Sequence, residues 1–290
     1  MKPHMIITGA QGYLASLIQL YNKDNFDFTG FERHDVDYSK PQEVGRFFDA
    51  LDFDLFFHTA ANAQTAACEN DPEGTHLVNC DSAIEIAKVC RKKGRRFVFI
   101  STEQVFNGKT APGPFDETTA ADSVTNYGRQ KAEVDSWIRE NLDDYVIIRL
   151  SWQFGMPLPH IKPSPGIVLN TLAALRSQSP TKFTVNERRC MTYAQHLADN
   201  FKRITELPTG EYHIASPNDK STYECARIVA HAFGYPDAQI EKCILPDNER
   251  YSDRFRDYRL DNAKALGTGI ELGSSFEDDV ERCARDFGWA

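Results

Sequence analysis

Thr8-Gly9-Ala10-Gln11-Gly12-Tyr13-Leu14-Ala15 stands directly between an apolar run, residues 5–8, and a stretch with helical periodicity, residues 12–21. Glycines at 9 and 12 let the backbone turn sharply and approach a ligand's pyrophosphate, whose charge is met by amides at the start of the helix. The third place of the pattern is Ala15, which alanine can fill because that position governs close packing of helix on strand. A glycine pair alone is compatible with an ordinary tight turn. Its setting between strand and helix points instead to a dinucleotide-binding loop, with Gly9, Gln11, Gly12, Tyr13 and Leu14 at the cofactor.

Outward from this loop, short apolar runs alternate with amphipathic stretches, the pattern of parallel strands joined by crossover helices. Strands are expected over residues 5–8, 28–31, 55–58, 97–101 and 146–150, and helices over 12–21, 41–51, 75–92 and 126–141. The fold class is therefore α/β, a Rossmann-type doubly wound parallel sheet. After Trp152 the prolines 157, 159, 163 and 165 and Gly166 break the pattern and mark a change of layer. Further on, Thr192 is expected to cap a helix to Thr205, residues 211–215 read as a strand, and residues 221–233 as a helix opened by a Ser221/Glu224 capping box. The expected division is a cofactor domain over 1–155, joined by about 190–215, and a smaller, discontinuous α/β substrate lobe within 156–290.

The bulk properties restrict the function. With 41% hydrophobic and 26% charged residues in 290, the chain is of globular composition, and it shows neither repeats nor low-complexity tracts. A net charge of −9 argues against nucleic acid or an anionic membrane as partner. Seven scattered cysteines without a CxxC pair read as free thiols of a reducing cytosol, and a cytoplasmic location is expected. No linear His/Cys/carboxylate spacing suggests a metal, so none is expected. A homodimer is left open.

Glu32 and Arg33 fall about 20 residues beyond the glycines, where a cofactor's adenosine ribose lies. A carboxylate there favours NAD and an arginine favours the 2′-phosphate of NADP, so both cofactors stay open, NADPH being slightly favoured. Tyr127-Gly128-Arg129-Gln130-Lys131 opens the fourth crossover helix after Ser101-Thr102-Glu103 has ended a strand. Residues four apart share a helix face, so the phenol and the ammonium both point toward the strand tips where a nicotinamide belongs. Lys131 and a cofactor cation would favour the phenolate of Tyr127, Thr102 would hydrogen-bond the substrate oxygen, and Glu103 would orient donor or substrate. A nucleotide diphosphate on an acidic protein needs a local positive pocket, for which Arg188, Arg189, Arg254, Arg256 and Arg259 are candidates. The alternative is a solvated face paired with Asp253, Asp257 and Asp261.

The order of motifs resembles the dTDP-4-dehydrorhamnose reductase family of extended short-chain dehydrogenases over nearly the whole chain. The resemblance is carried by Gly9 to Ala15, Asp35-Val36-Asp37, His58-Thr59-Ala60-Ala61, Glu69, Pro72, Asn79, the run from Ile100 to Gly108, Tyr127 to Lys131, the run from Arg149 to Gly155, Met191 to Ala198, and Gly210 to Ala215. It implies hydride delivery from NAD(P)H to C4 of a nucleotide-linked 4-keto-6-deoxyhexose, with Tyr127 as proton donor. It also implies Thr102, Tyr127 and Lys131 as catalytic residues, Glu103 in place of the usual aspartate, and Trp152 packing on the sugar. Asp35 and Val36 would lie by the adenine, and Thr59, Ala60 and Ala61 along the cofactor; Arg189 and Arg259 are the candidate substrate-binding arginines. The chain departs from the family at Gln104, at Gln64 to Cys68 and at Arg256 to Asp261, all in the substrate region. A non-catalytic NADP-binding subunit similar to the beta subunit of methionine adenosyltransferase, and a nucleotide-sugar epimerase or dehydratase, are the competing readings.

Overall fold

Runs that are apolar on both faces, such as Met5-Ile6-Ile7 and Leu55-Phe56-Phe57, fit strands covered by helices on each side. In the computed structural model, which describes residues 1–161, 163 and 165–289, they form β1 (His4–Thr8), β2 (Asp27–Phe31), β3 (Leu55–His58), β4 (Arg96–Thr102) and β5 (Tyr145–Leu150). These five are parallel, and the sheet runs Gly210–His213, β5, β4, β3, β1, β2. The chain starts in the middle, winds out to β2 and returns through β3. The winding reverses between β1 and β3, where Thr8 pairs in register with His58. In open α/β sheets ligands bind beyond the strand ends at such a reversal.

The chain divides into two compact units, residues 1–109, 117–150 and 198–212, and residues 110–116, 151–197 and 213–290. In the first, successive strand residues serve opposite faces of the sheet. Ile6, Phe56, Phe97 and Phe99 join a core with Val44 and Phe48 of the helix Pro41–Asp49, Ile86 of the helix Ser82–Lys93 and Val134 and Ile138 of the helix Asn126–Asn141. On the other face Phe57 meets Phe201 at 4.7 Å between ring centroids, and Asn22, in the helix Tyr13–Asn22, donates to the carbonyl of Ala198 at 2.8 Å.

Two expected elements come out differently. The helix expected over 75–92 is three pieces: Pro72–His76, a π-helical turn Leu77–Asp81, and Ser82–Lys93. Pro72 and the Asp71 cap on the amide of Gly74 start it early, and the wide turn places Asn79 where it hydrogen-bonds Asn62 and Gln130. Thr192 does not cap a helix. Met191–Tyr193 is a strand paired with Trp152–Phe154, the Thr192 hydroxyl accepts from the amide of Ser216 at 2.8 Å, and the helix begins at Gln195.

The second unit has its own core, in which Val168, Leu172 and Leu175 of the helix Ile167–Ser177 pack with Val229 and Ala230 of the helix Thr222–Ala232 and with Phe276 and Val280 of the helix Phe276–Asp286. The capping box forms as read, with Ser221 and Glu224 bonding each other's amides. Residues 110–116 belong here because Phe115 exchanges backbone hydrogen bonds with Arg259 and Asp261 at 2.8 and 2.7 Å. Among the described residues no helix is long and apolar enough to cross a membrane. All seven cysteines are free and buried.

Candidate active site

The loop after β1 is shaped by Gly9, whose φ of +64° lies in the left-handed region. A Cβ there would stand 3.0 Å from Thr59 Oγ1 and 3.2 Å from Ala60 Cα, so the bare backbone lets this loop lie against the loop after β3. Thr59 and Ala60 are tied to β1 in turn: their amides donate to Thr8 Oγ1 at 3.2 and 3.3 Å, and Thr59 Oγ1 donates to the Thr8 carbonyl at 2.6 Å. Ala61 follows, half-buried. The helix Tyr13–Asn22 starts at Gly12 with no side-chain cap and no acid in its first turn, which includes Leu14. An uncapped helix start beside bare backbone, at the reversal of the sheet, fits a dinucleotide's diphosphate.

At the end of β2 the Gln11 amide donates to the Glu32 carboxylate, and Asp35 Oδ2 accepts from the Glu32 amide at 2.8 Å. Arg33 is exposed. Val36 is buried in the core of the first unit. His58 is held neutral, its pKa pushed down to about 3 by burial and by the nearby Lys131.

Thr102, Glu103 and Tyr127 are brought together at the end of β4, all three buried. Gly128 makes the approach: a Cβ there would fall 2.4 Å from the Gln104 carbonyl oxygen, so only glycine lets the helix Asn126–Asn141 begin against the 102–104 segment. Thr125 caps that helix by accepting from the Gly128 amide at 3.3 Å. Thr102 Oγ1 lies 3.3 Å from Glu103 Oε2 and accepts from the Gln104 amide at 3.2 Å. Burial, with the Glu103 carboxylate adding to it, pushes the Tyr127 phenol well above its ordinary pKa, against a hydrogen bond from Thr102. At neutral pH this tyrosine holds its proton.

Lys131 is fully buried; its Nζ donates to the Ile100 carbonyl at 2.8 Å and stands 4.4 Å over the ring of Phe99. Burial pulls it down to about 8, and Asp135, one turn further along the helix, opposes that shift. Asp135 in turn accepts from Ser101 Oγ at 2.9 Å and from Arg149 Nε at 3.1 Å. Sequence reasoning passed over Asp135, although its spacing of four from Lys131 and eight from Tyr127 puts all three on one helix face. It also passed over Gln130, which with Asn79 and Asn62 ties the loop after β3 to the Tyr127 helix by bonds of 2.7 to 3.0 Å.

The remaining candidates lie in the second unit. Arg189 is buried, donates to Glu187 at 2.8 Å and stacks on Trp152 at 4.8 Å and on Tyr258 at 4.9 Å, so Trp152 and Arg189 do come together. Trp152 keeps 40% of its surface exposed. Arg259 is held bidentately by Asp257 at 2.7 and 2.8 Å and donates to the Gly113 carbonyl at 3.0 Å. Glu187 and the interleaved Asp257 thus each pair with one of these arginines in place, which narrows the free positive charge expected of this region.

Comparison with known proteins bears on this geometry. The family model described as RmlD substrate binding domain matches residues 2–288. A probable low-salt glycan biosynthesis reductase of Haloferax volcanii is 26% identical over 295 residues, 96% of each chain. A dTDP-4-dehydrorhamnose reductase of Salmonella typhimurium is 31% identical over 200 residues, 67% of this chain and 64% of that one. Among solved structures, a dTDP-4-dehydrorhamnose reductase of Bacillus anthracis in complex with NADP matches with a TM-score of 0.85 over 99% of both chains at 21% identity, a likeness of fold.

Proposed function

The chain belongs to the RmlD substrate binding domain family, within the extended short-chain dehydrogenases, and from that membership we propose that it is an NAD(P)H-dependent reductase of a nucleotide-linked 4-keto-6-deoxy sugar. The observation that carries the reading is the buried group of Thr102, Glu103 and Tyr127 at the end of β4, in the same parallel sheet whose β1 ends in the glycine loop. Gly9, Gln11, Gly12, Tyr13 and Leu14 would hold the dinucleotide's diphosphate, with Glu32, Arg33, Asp35 and Val36 toward the adenosine and Thr59, Ala60 and Ala61 along its length. A bound reduced nicotinamide supplies the hydride that the carbonyl carbon takes up.

The protein's share is the proton. Tyr127 Oη gives its proton to the carbonyl oxygen as that oxygen gains charge, and the resulting phenolate is reprotonated from solvent. A phenol with a raised pKa stays loaded for this role at neutral pH. Thr102 Oγ1, which donates to Glu103 Oε2 at 3.3 Å in the free chain, turns its one proton to the same oxygen when substrate is bound. Lys131, as an ammonium buried on the Tyr127 face of the helix, stabilises the phenolate left behind. Trp152, Arg189 and Arg259 are proposed as substrate contacts of the second unit.

The test is oxidation of NADPH and NADH against a panel of dTDP-, UDP- and GDP-linked 4-keto sugars. Turnover of at least one, lost in Tyr127→Phe, supports the reading. Tight binding of NADP(H) with no turnover of any sugar overturns it in favour of a nucleotide-binding subunit.

A further inference from the structure

A cluster remote in role from the glycine loop and Tyr127 forms where the π-helical turn Leu77–Asp81 meets the helix Asn126–Asn141. One donor atom from each of His76, Cys80 and Asp81 lies within 4.8 Å of the others. Positions 76, 80 and 81 match no familiar linear motif, which is why no metal is expected from the sequence; the wide turn, a feature often found at functional sites, gathers them. An open cleft of about 580 Å³, lined by Pro72, Glu73, His76, Leu77, Asp81 and Glu133 among others, reaches the His76 and Asp81 side chains, with Cys80 buried behind them.

The two nitrogens of His76 face different carboxylates. Nε2 is 3.1 Å from Glu133 Oε2, and Nδ1 is 3.3 Å from Asp81 Oδ2. With the ring proton on Nε2, donated to Glu133, the Nδ1 lone pair faces a carboxylate oxygen at a separation that requires a positive centre. A second proton on the ring answers that requirement, with the Cys80 thiol donating to the Glu133 carboxylate beside it. A divalent cation uses all three donors, and a carboxylate on the far nitrogen of a histidine is the arrangement that orients such ligands.

We propose that His76 Nδ1, Cys80 Sγ and Asp81 Oδ2 form a site for a borderline divalent cation, zinc above all, with Glu133 as the outer partner that fixes the tautomer of His76. Mixed N, S and O donors select zinc over magnesium or calcium, which take oxygen. The fourth position of the tetrahedron is filled by water from the cleft. Bonds of about 2.0 to 2.3 Å need the donors to draw in by roughly 1 Å, which the partly exposed His76 and Asp81 side chains can supply. Binding converts the Cys80 thiol to a metal-bound thiolate and releases its proton to solvent.

The experiment titrates the full chain with cobalt(II), whose bond to a thiolate gives a near-ultraviolet charge-transfer band that zinc displaces. The proposal requires a band that saturates at one cobalt per chain, vanishes in Cys80→Ser, and shifts to ~10-fold or more higher cobalt concentration in Glu133→Gln. Because Cys80 is buried and its replacement can unfold the chain, His76→Gln and Asp81→Asn are read alongside and must weaken the band by ~10-fold or more. Absence of the band, or a band of wild-type affinity in His76→Gln and Asp81→Asn, overturns the site and leaves His76 as a doubly paired imidazolium.

Discussion

The carboxylate of Asp135 and the guanidinium of Arg149 meet at 3.1 Å with both side chains closed off from solvent, and Glu211 lies 3.3 Å from the same arginine. Removing one member leaves a buried charge without its partner, whereas an isolated surface pair is worth little. Arg149→Met is expected to destabilise the chain by about 3–5 kcal/mol in urea unfolding. A loss below about 1 kcal/mol would show that the three groups are solvated in practice.

Lys131 gives the pH dependence its sign. Burial lowers its pKa from 10.5 to about 8, so the folded chain loses this charge where a free lysine keeps it. If the ammonium supports the phenolate, kcat falls as pH rises through about 8. Stability moves the other way: between about 8 and 10.5 the unfolded chain binds more protons than the folded one, so this group's contribution rises with pH across that window and is lost as pH falls through about 8. The two limbs are separated by a kcat profile and by urea midpoints at matched pH. A kcat that stays flat through this range removes Lys131's charge from the reaction.

Tyr127→Phe keeps the ring in its buried place and removes the proton that the proposed reduction draws on. Turnover is expected to fall by ~10²-fold or more, with NADPH affinity nearly unchanged in fluorescence titration. Turnover like that of the unsubstituted chain would assign proton transfer to another group.

Arg33, the arginine proposed to select the cofactor, is exposed beside a Glu32 whose carboxylate is already engaged by the Gln11 amide. Arg33→Ala is expected to weaken NADPH by about 1–3 kcal/mol, through loss of a charge-assisted bond to the 2′-phosphate, and to leave NADH where it was. Equal losses for both cofactors would mean that the arginine serves the turn and not the phosphate.

What could be read from the chain follows from how local each signal is. Apolar runs and glycines act on their own neighbours, so the five parallel strands, the loop at Gly9 and the Tyr127 helix stand within a residue or two of where pattern alone puts them. The π-helical turn was not legible because one extra residue per turn barely changes an apolar period, while it changes which side chains meet. Thr192 was misread because a threonine before an apolar stretch suits a strand as well as a cap, and only the Trp152–Phe154 pairing decides between them. Asp135 and Arg149 were invisible as partners because they lie 14 positions apart, one on a helix and the other on the strand that follows, and charge pairing across a fold leaves no local trace.

The buried cysteines have a use beyond packing. Cys68, Cys80 and Cys90 lie in the first unit and Cys190, Cys225, Cys243 and Cys283 in the second, and all are free. A thiol reagent reaches a sealed sulfur only when its surroundings open, so the labelling rate of each cysteine reports the free energy of the local or global opening that exposes it. The chain therefore carries native reporters in each unit, and the loosening of one can be timed separately from the other without adding any probe.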